Sequence, residues 1–350
     1  MKKLVSVVLT ILLAVTVFTG CGNKVNKEVA DNDKTSIENK ESGDQKETSS
    51  GLSFDVPKYI ISETEDSITY KDPLENEVNL KKKPERVIVL QNSILDLWYL
   101  AGGEAIARVK GETNVPEEAM DLETVGGAFS PSLEKILSLK PDLVILSSVT
   151  SKHRELKDAL EENNIPALFI NANNKPYKSF NETLYLFTRL TDKKDIFDSK
   201  IADIRNEIDL IKEKVEDEKK PKVAIIFSST RSVSTELPSS LTGEILEMLN
   251  GENIVKETKV EGATKVDFSI ERIIERDPDI IFITTMGDLE KVNKRIKEDI
   301  EGNEAWGSLR AVKEGKVYYL PKELFTYKPN ERYPEAVEYI AKILYPEVFK

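Results

Sequence analysis

Cysteine and histidine each occur once in 350 residues. The single cysteine, Cys21, leaves no partner for an internal disulfide. The single histidine, His153, is too little for a zinc or manganese centre built mainly from imidazoles. There is no basic block either. Fifty lysines and arginines face 62 aspartates and glutamates, a net charge of −12, whereas nucleic-acid binding needs clustered cations that displace counterions. The chain has no Gly-x-Ser-x-Gly elbow, phosphate-binding glycine loop or dinucleotide glycine motif, and its histidine has no evident nucleophile partner, so an enzyme is unsupported. Composition is that of a globular chain, 39% apolar and 32% charged, so any membrane contact must be local.

That contact is expected at the N-terminus. Lys2 and Lys3 precede an apolar stretch from Leu4 to Phe18, too short for a comfortable span and matching the apolar region of a secretory signal. Phe18-Thr19-Gly20-Cys21 resembles the bacterial lipobox, with Phe where Leu is usual. That resemblance implies that Cys21 is lipidated and becomes the first residue of the mature chain. An uncleaved anchor or a plain secretion signal are the alternatives. The following residues, rich in Lys, Glu, Asn, Asp and Ser without apolar periodicity, cannot bury enough surface to fold. The expected division is a signal over 1–20, a disordered tether over 21–57, and a folded remainder tethered at a membrane surface.

At this length two lobes are the default. SITYKDPLENEVNLKK reads as a hairpin. RVIVL, IARV, LVILS and ALFI, then KVAIIFS, DIIFITT and KVYYL, are aliphatic runs separated by helical patterns, the signature of parallel sheets covered on both faces. The fold expected is α/β, with two Rossmann-like lobes joined by a long rigid helix and a ligand cleft between them. The N-terminal lobe with its hairpin is assigned to 58–178, the connecting helices to 179–220, and the C-terminal lobe with a closing helix to 221–350. Ser179 and Glu182 fit a capping box. Phe197, Ile201, Ile204, Ile208, Ile211 and Val215 form one helical stripe, and Pro221 ends it. About 25 residues would make a rod of close to 40 Å, stiff enough to oppose large hinge motion.

One phrase is written twice. SLEKILSLKPDLVIL, from Ser132, returns as SIERIIERDPDIIFI, from Ser269, with corresponding residues 137 apart. Each copy reads as a helix stopped by Pro-Asp, which launches a core strand. Ser130 and Asp267 are the expected N-caps, with Pro131 at a first helical position. The order of PxRVIVL, a GG turn, SLEKIL, KPDLVIL, a connecting helix, SIERII, DPDIIFI, WxxLxAVKxGKVY and a final helix spans about Pro84 to Val348. In that order it resembles the substrate-binding proteins of ABC importers for ferric siderophores, haem and cobalamin. The resemblance implies a monomer that carries its metal complex as cargo, has no cofactor, and delivers to a permease dimer with its ATPase from the extracytoplasmic face. It also implies that Glu134 and Glu271 dock on permease arginines, a pairing that would give orientation more than affinity. An acidic residue in a helix's first turn also complements the macrodipole, which is the plainer explanation of each. A surface adhesin or an enzyme on the same scaffold is the competing class.

Ligands of open α/β sheets gather beyond the carboxyl ends of the strands. The candidates are therefore Gln91, Asn92, Ser93, Phe129, Ser147, Ser148 and His153 in the first lobe. In the second they are Ser229, Arg231, Thr285, Met286, Phe325 and Tyr327. Arg231 suits a carboxylate or phosphate, or else pairs with Glu236. If the cargo is haem, His153 and Met286 could ligate iron from opposite lobes, and Tyr327 is a further ligand or stacking ring.

Overall fold

The computed structural model describes residues 57–170 and 175–350. The leader, Cys21 and the tether before Pro57 lie outside the described residues. Three antiparallel strands come first, β1 (Ile60–Glu63), β2 (Ser67–Lys71) and β3 (Glu77–Lys81). β2 and β3 are the expected hairpin. The Asp72 carboxylate closes it by accepting from the Leu74 and Asn76 amides, each at 2.8 Å. Ile68, Tyr70 and Leu80 fill the buried face, and the Tyr70 hydroxyl donates to the Phe169 carbonyl at 3.1 Å, tying the sheet to the first lobe.

That lobe runs β4 (Val87–Val89), α1 (Asn92–Leu100), β5 (Ala107–Arg108), β6 (Glu123–Thr124), the small pair β7 (Gly126–Gly127) and β8 (Ser130–Pro131), α2 (Leu133–Ser138), β9 (Leu143–Ser147), α3 (Ser151–Arg154), α4 (Lys157–Glu162) and β10 (Ala167–Ile170). Its sheet has the order β10-β9-β4-β5-β6, all parallel. Every residue of β4, β9 and β10 is buried, as a sheet covered on both faces requires. α1 ends on Gly102, whose φ of 76° is the left-handed stop that the glycine pair suggests.

After α5 (Pro176–Leu190) and α6 (Lys194–Glu213) come β11 (Lys222–Ser229), β12 (Val233–Glu236), α7 (Leu241–Met248), β13 (Glu252–Asn253), β14 (Lys265–Asp267), α8 (Ile270–Arg276), β15 (Ile280–Met286), α9 (Leu289–Ile296), α10 (Arg310–Lys313), β16 (Val317–Tyr319), α11 (Lys322–Phe325) and α12 (Tyr333–Leu344). The order is β14-β12-β11-β15-β16, with β13 also on β11. β11, β15 and β16 are parallel, whereas β12 and β14 run antiparallel at one edge. The aliphatic runs form the parallel strands as expected, while VSTE and KVD, which carry no such run, add an antiparallel pair on one side, with KVD at the edge.

The connection also differs from a lone rod. α6 has 20 residues, about 30 Å long, and breaks from α5 at Asp192, which takes a φ of 59°. Its stripe Phe197, Ile201, Ile204, Ile208 and Ile211 is buried as expected. That stripe belongs to one apolar core shared by α5, α12, Val89 and Ile145 of the first sheet, and Ile225 and Phe282 of the second. Two separate clusters, around Val144 and around Ile281, cover the opposite sheet faces.

The capping assignments move. Ser132 and Ser269 are the caps of α2 and α8, their hydroxyls accepting from the Lys135 and Arg272 amides. Ser130 and Pro131 are held in β8 and Asp267 in β14, so none of them opens a helix. Ser179 lies inside α5, which starts at Pro176 instead. The doubled phrase is nevertheless a doubled structure. Lys140 and Asp277, each just before the proline, take φ of 48° and 41°. Asp142 then accepts from the Glu85 and Arg86 amides (2.8 and 2.9 Å), and Asp279 from the Lys222 amide (2.8 Å), clamping each new strand to its parallel neighbour.

Candidate functional site

Segments beyond the carboxyl ends of β4 and β5 meet the segment after α11 at the seam between the lobes. Two asparagines stitch that seam. Asn114 Nδ2 donates to the Lys328 carbonyl at 2.8 Å, and Asn330 Nδ2 donates to the Ser93 carbonyl and Asp96 Oδ2, each at 2.7 Å. Burial pushes the Asp96 pKa up, against the pull of that amide.

Above the seam, the wall of the second lobe holds a pocket of about 140 Å³ lined by Phe227, Glu236, Lys265, Met286 and Lys328, with Pro176 from α5. Lys265 reaches it because β14 pairs with β12 in a register that sets Lys265 opposite Glu236. The Lys265 ammonium stands over the Phe227 ring, 3.6 Å from its centroid, a cation–π contact that holds the charge in place. Glu236 is buried and accepts from the Thr284 hydroxyl at 2.8 Å. Burial, and then repulsion from Lys265, pushes the Lys328 ammonium down to about 8. With Glu236 in the same lining, the two lysines leave the pocket one cation in excess, which favours an anionic guest.

The sequence candidates sort into three groups. Gln91, Asn92, Ser229, Thr285 and Met286 stand at strand ends and Tyr327 follows α11; all six are partly exposed. Asn92 Oδ1 has no partner among the described residues. Arg231 is exposed, and no partner engages its guanidinium among the described residues. Glu236 is buried beneath Thr284 and does not pair with it. Ser229 shapes the Arg231 turn by accepting from the Arg231 and Ser232 amides at 3.2 and 3.1 Å. Phe129 projects from the β7–β8 turn with 72% of its surface exposed.

The second group faces inward. Ser93, Ser147 and Ser148 are buried, supporting the strand ends rather than lining an open wall. Phe325 is buried too, its ring 5.7 Å from that of Tyr339, although it touches the pocket's edge.

His153 stands alone as a correction. It is 0% exposed, its Nδ1 accepts from the Ser147 amide at 3.0 Å, and its Nε2–H donates to the Ala128 carbonyl at 2.7 Å. Burial lowers its pKa. Both ring nitrogens are spent on the backbone, so the imidazole buttresses the turn before α2 and is not an axial iron ligand. Met286, in the opposite wall, does reach the pocket.

The two glutamates occupy one place in two lobes. Glu134 and Glu271 are exposed and each lies two residues after its serine cap. Glu271 accepts from the Ser269 hydroxyl at 3.0 Å, and hydrogen bonds hold its carboxyl below the usual range.

Lys265, Lys328, Phe227, Glu236 and Asn114 were missed by sequence reasoning. Lys328 adjoins Tyr327 in a segment already singled out, but Lys265 sits in a three-residue polar strand that an aliphatic-run criterion passes over.

Two α/β lobes, a shared helical layer and a cation-bearing crevice define a bilobal small-molecule receptor. Residues 87–324 match the model of the family described as "Periplasmic binding protein", and the chain belongs to that family. Over 360 residues, covering all of both chains, it is 25% identical to an uncharacterised ABC transporter substrate-binding lipoprotein of Bacillus subtilis (strain 168). It is 24% identical over 330 residues to an Fe(3+)-citrate-binding protein of the same organism, covering 93% of this chain and 91% of that one. Among solved structures, an ABC transporter substrate-binding protein from Listeria monocytogenes EGD-e superimposes with a TM-score of 0.65 at 25% identity, over 76% of this chain and all of the other.

Proposed function

We propose that this protein captures an anionic iron chelate between its lobes and delivers it to an ABC importer. The chain has no catalytic role in this reading. One relative is named as an ABC transporter substrate-binding lipoprotein and another as an Fe(3+)-citrate-binding protein. The observation that carries the cargo assignment is the presence of Lys265 and Lys328 in one pocket, with the exposed Arg231 on the same lobe. Convergent cations match carboxylate-bearing chelates and find no counterpart on a neutral corrinoid. A haem reading loses its first-lobe ligand with His153.

Cys21 is the lipid attachment point in this proposal, holding the receptor at the outer face of the membrane. Glu134 and Glu271 are its two contacts with the importer, one on each lobe.

Calorimetric titration with ferric citrate, a ferric hydroxamate, haem and cobalamin tests the cargo. Ferric citrate is expected to bind, and iron-free citrate more weakly. Binding of cobalamin alone would overturn the assignment.

A further inference from the structure

We infer that Asn114 is a positioning residue for cargo capture: from the first lobe it caps the end of α11 in the second, and so fixes where Lys328 stands in the cleft. The inference rests on the reading of Lys328 as a cargo-facing cation.

A helix leaves its last carbonyls without partners of its own. In the short α11 the Lys322 carbonyl is taken by the Thr326 and Tyr327 amides, at 2.9 and 2.7 Å. The Glu323, Tyr327 and Lys328 carbonyls all turn to Asn114 Nδ2, at 3.2, 3.3 and 2.8 Å. Three acceptors around one amide nitrogen leave no doubt which way the amide faces.

Asn114 is itself held firmly. Its φ of 54° is a conformation that suits asparagine or glycine. Its loop is bolted from beneath by the buried Arg108, whose guanidinium donates to the carbonyls of Val109, Gly111, Ala119 and Met120 at 2.7–2.9 Å. A few residues on, Asn330 ties the same segment to α1. Lys328 therefore lies between two anchors, both on the first lobe, while its side chain serves the second lobe's pocket. If Asn114 merely contributed to stability, its loss would lower the melting temperature and nothing else.

Asn114→Gly keeps the left-handed backbone and deletes the amide. Asn114→Asp keeps the shape but turns an acceptor toward three carbonyls. In the full chain, amide hydrogen exchange over residues 322–330 is followed without cargo, and ferric citrate affinity is measured beside a Lys328→Met control. Losing the three bonds should speed exchange of that segment about tenfold in Asn114→Gly, leaving α12 unchanged, and weaken ferric citrate about five- to tenfold. Asn114→Asp should be the worse of the two. Unchanged exchange, or faster exchange with unchanged affinity, would overturn the inference. If the wild-type chain binds no ferric citrate, the cargo assignment fails, and the role of Asn114 stands or falls on the exchange alone.

Discussion

At His153 the chemistry of a side chain and its use part company. A lone imidazole after a strand end invites a ligand reading, yet here both nitrogens serve the backbone. The neutral ring accepts at Nδ1, so protonation must break that bond. Its pKa lies below the 6.5 of an unfolded chain, so between the two values the unfolded state takes up a proton that the folded state refuses. The stability it contributes is present above pH 6.5 and is lost as pH falls through its folded pKa. His153→Ala should cost about 2–4 kcal/mol in urea unfolding, while ferric citrate affinity holds. A matching loss of affinity would return His153 to the cleft.

Lys328 has the opposite consequence. With its pKa at about 8 rather than 10.5, the folded state holds fewer protons than the unfolded one across that interval, so this group's effect is to raise stability as pH climbs through it. Cargo binding goes the other way, because the free protein loses the ammonium above about pH 8. Affinity for ferric citrate should fall between pH 7 and 9, and Lys328→Met should bind about tenfold more weakly with a flatter profile. A profile identical to wild type would remove Lys328 from the site. Neither property is legible in the string Tyr-Lys-Pro-Asn: the second cation, Lys265, comes from β14, some sixty residues away, and the rest of the pocket from other distant segments.

Among the elements, those recognised from sequence are the ones whose pattern is local. The stripe of α6 and the runs of β9, β11 and β15 announce themselves because a two-sided burial or a single buried helix face writes its period into the chain. β12 and β14 do not, because they are four and three residues long and mostly polar, with no aliphatic run. Helix starts fail for a different reason. Ser179-x-x-Glu182 has the form of a capping box, but Pro176 begins α5 earlier, and Glu244 of the second lobe accepts from the Tyr177 amide at 2.7 Å. The cap is supplied across the seam, where no local pattern can show it. The true caps Ser132 and Ser269 are each worth about 1 kcal/mol. Ser132→Ala and Ser269→Ala should each lower stability by roughly that amount, additively, since they lie in different lobes.

For the molecule as a whole, the shared core makes the two lobes one cooperative body, with α5, α6 and α12 packed between both sheets. Presented from that body, Glu134 and Glu271 are equivalent acidic points. Replacing both by lysine should abolish uptake of the labelled chelate by cells while its affinity for the purified protein is kept. An equal fall in affinity would place them in the cargo site. Cys21→Ser should shed the protein into the medium, and retention in the membrane fraction would favour an uncleaved anchor.

The amino-acid sequence by itself determined the α/β class, the two lobes and the doubled helix-to-strand phrase. Each of these follows from periodic burial and from Pro-Asp junctions, which act on neighbours along the chain. Only the tertiary structure decided which cations meet in the cleft, that His153 is sealed away, and that the join is a packed layer. Those outcomes depend on pairing register and on desolvation by segments distant in sequence, and neither is encoded at any one position.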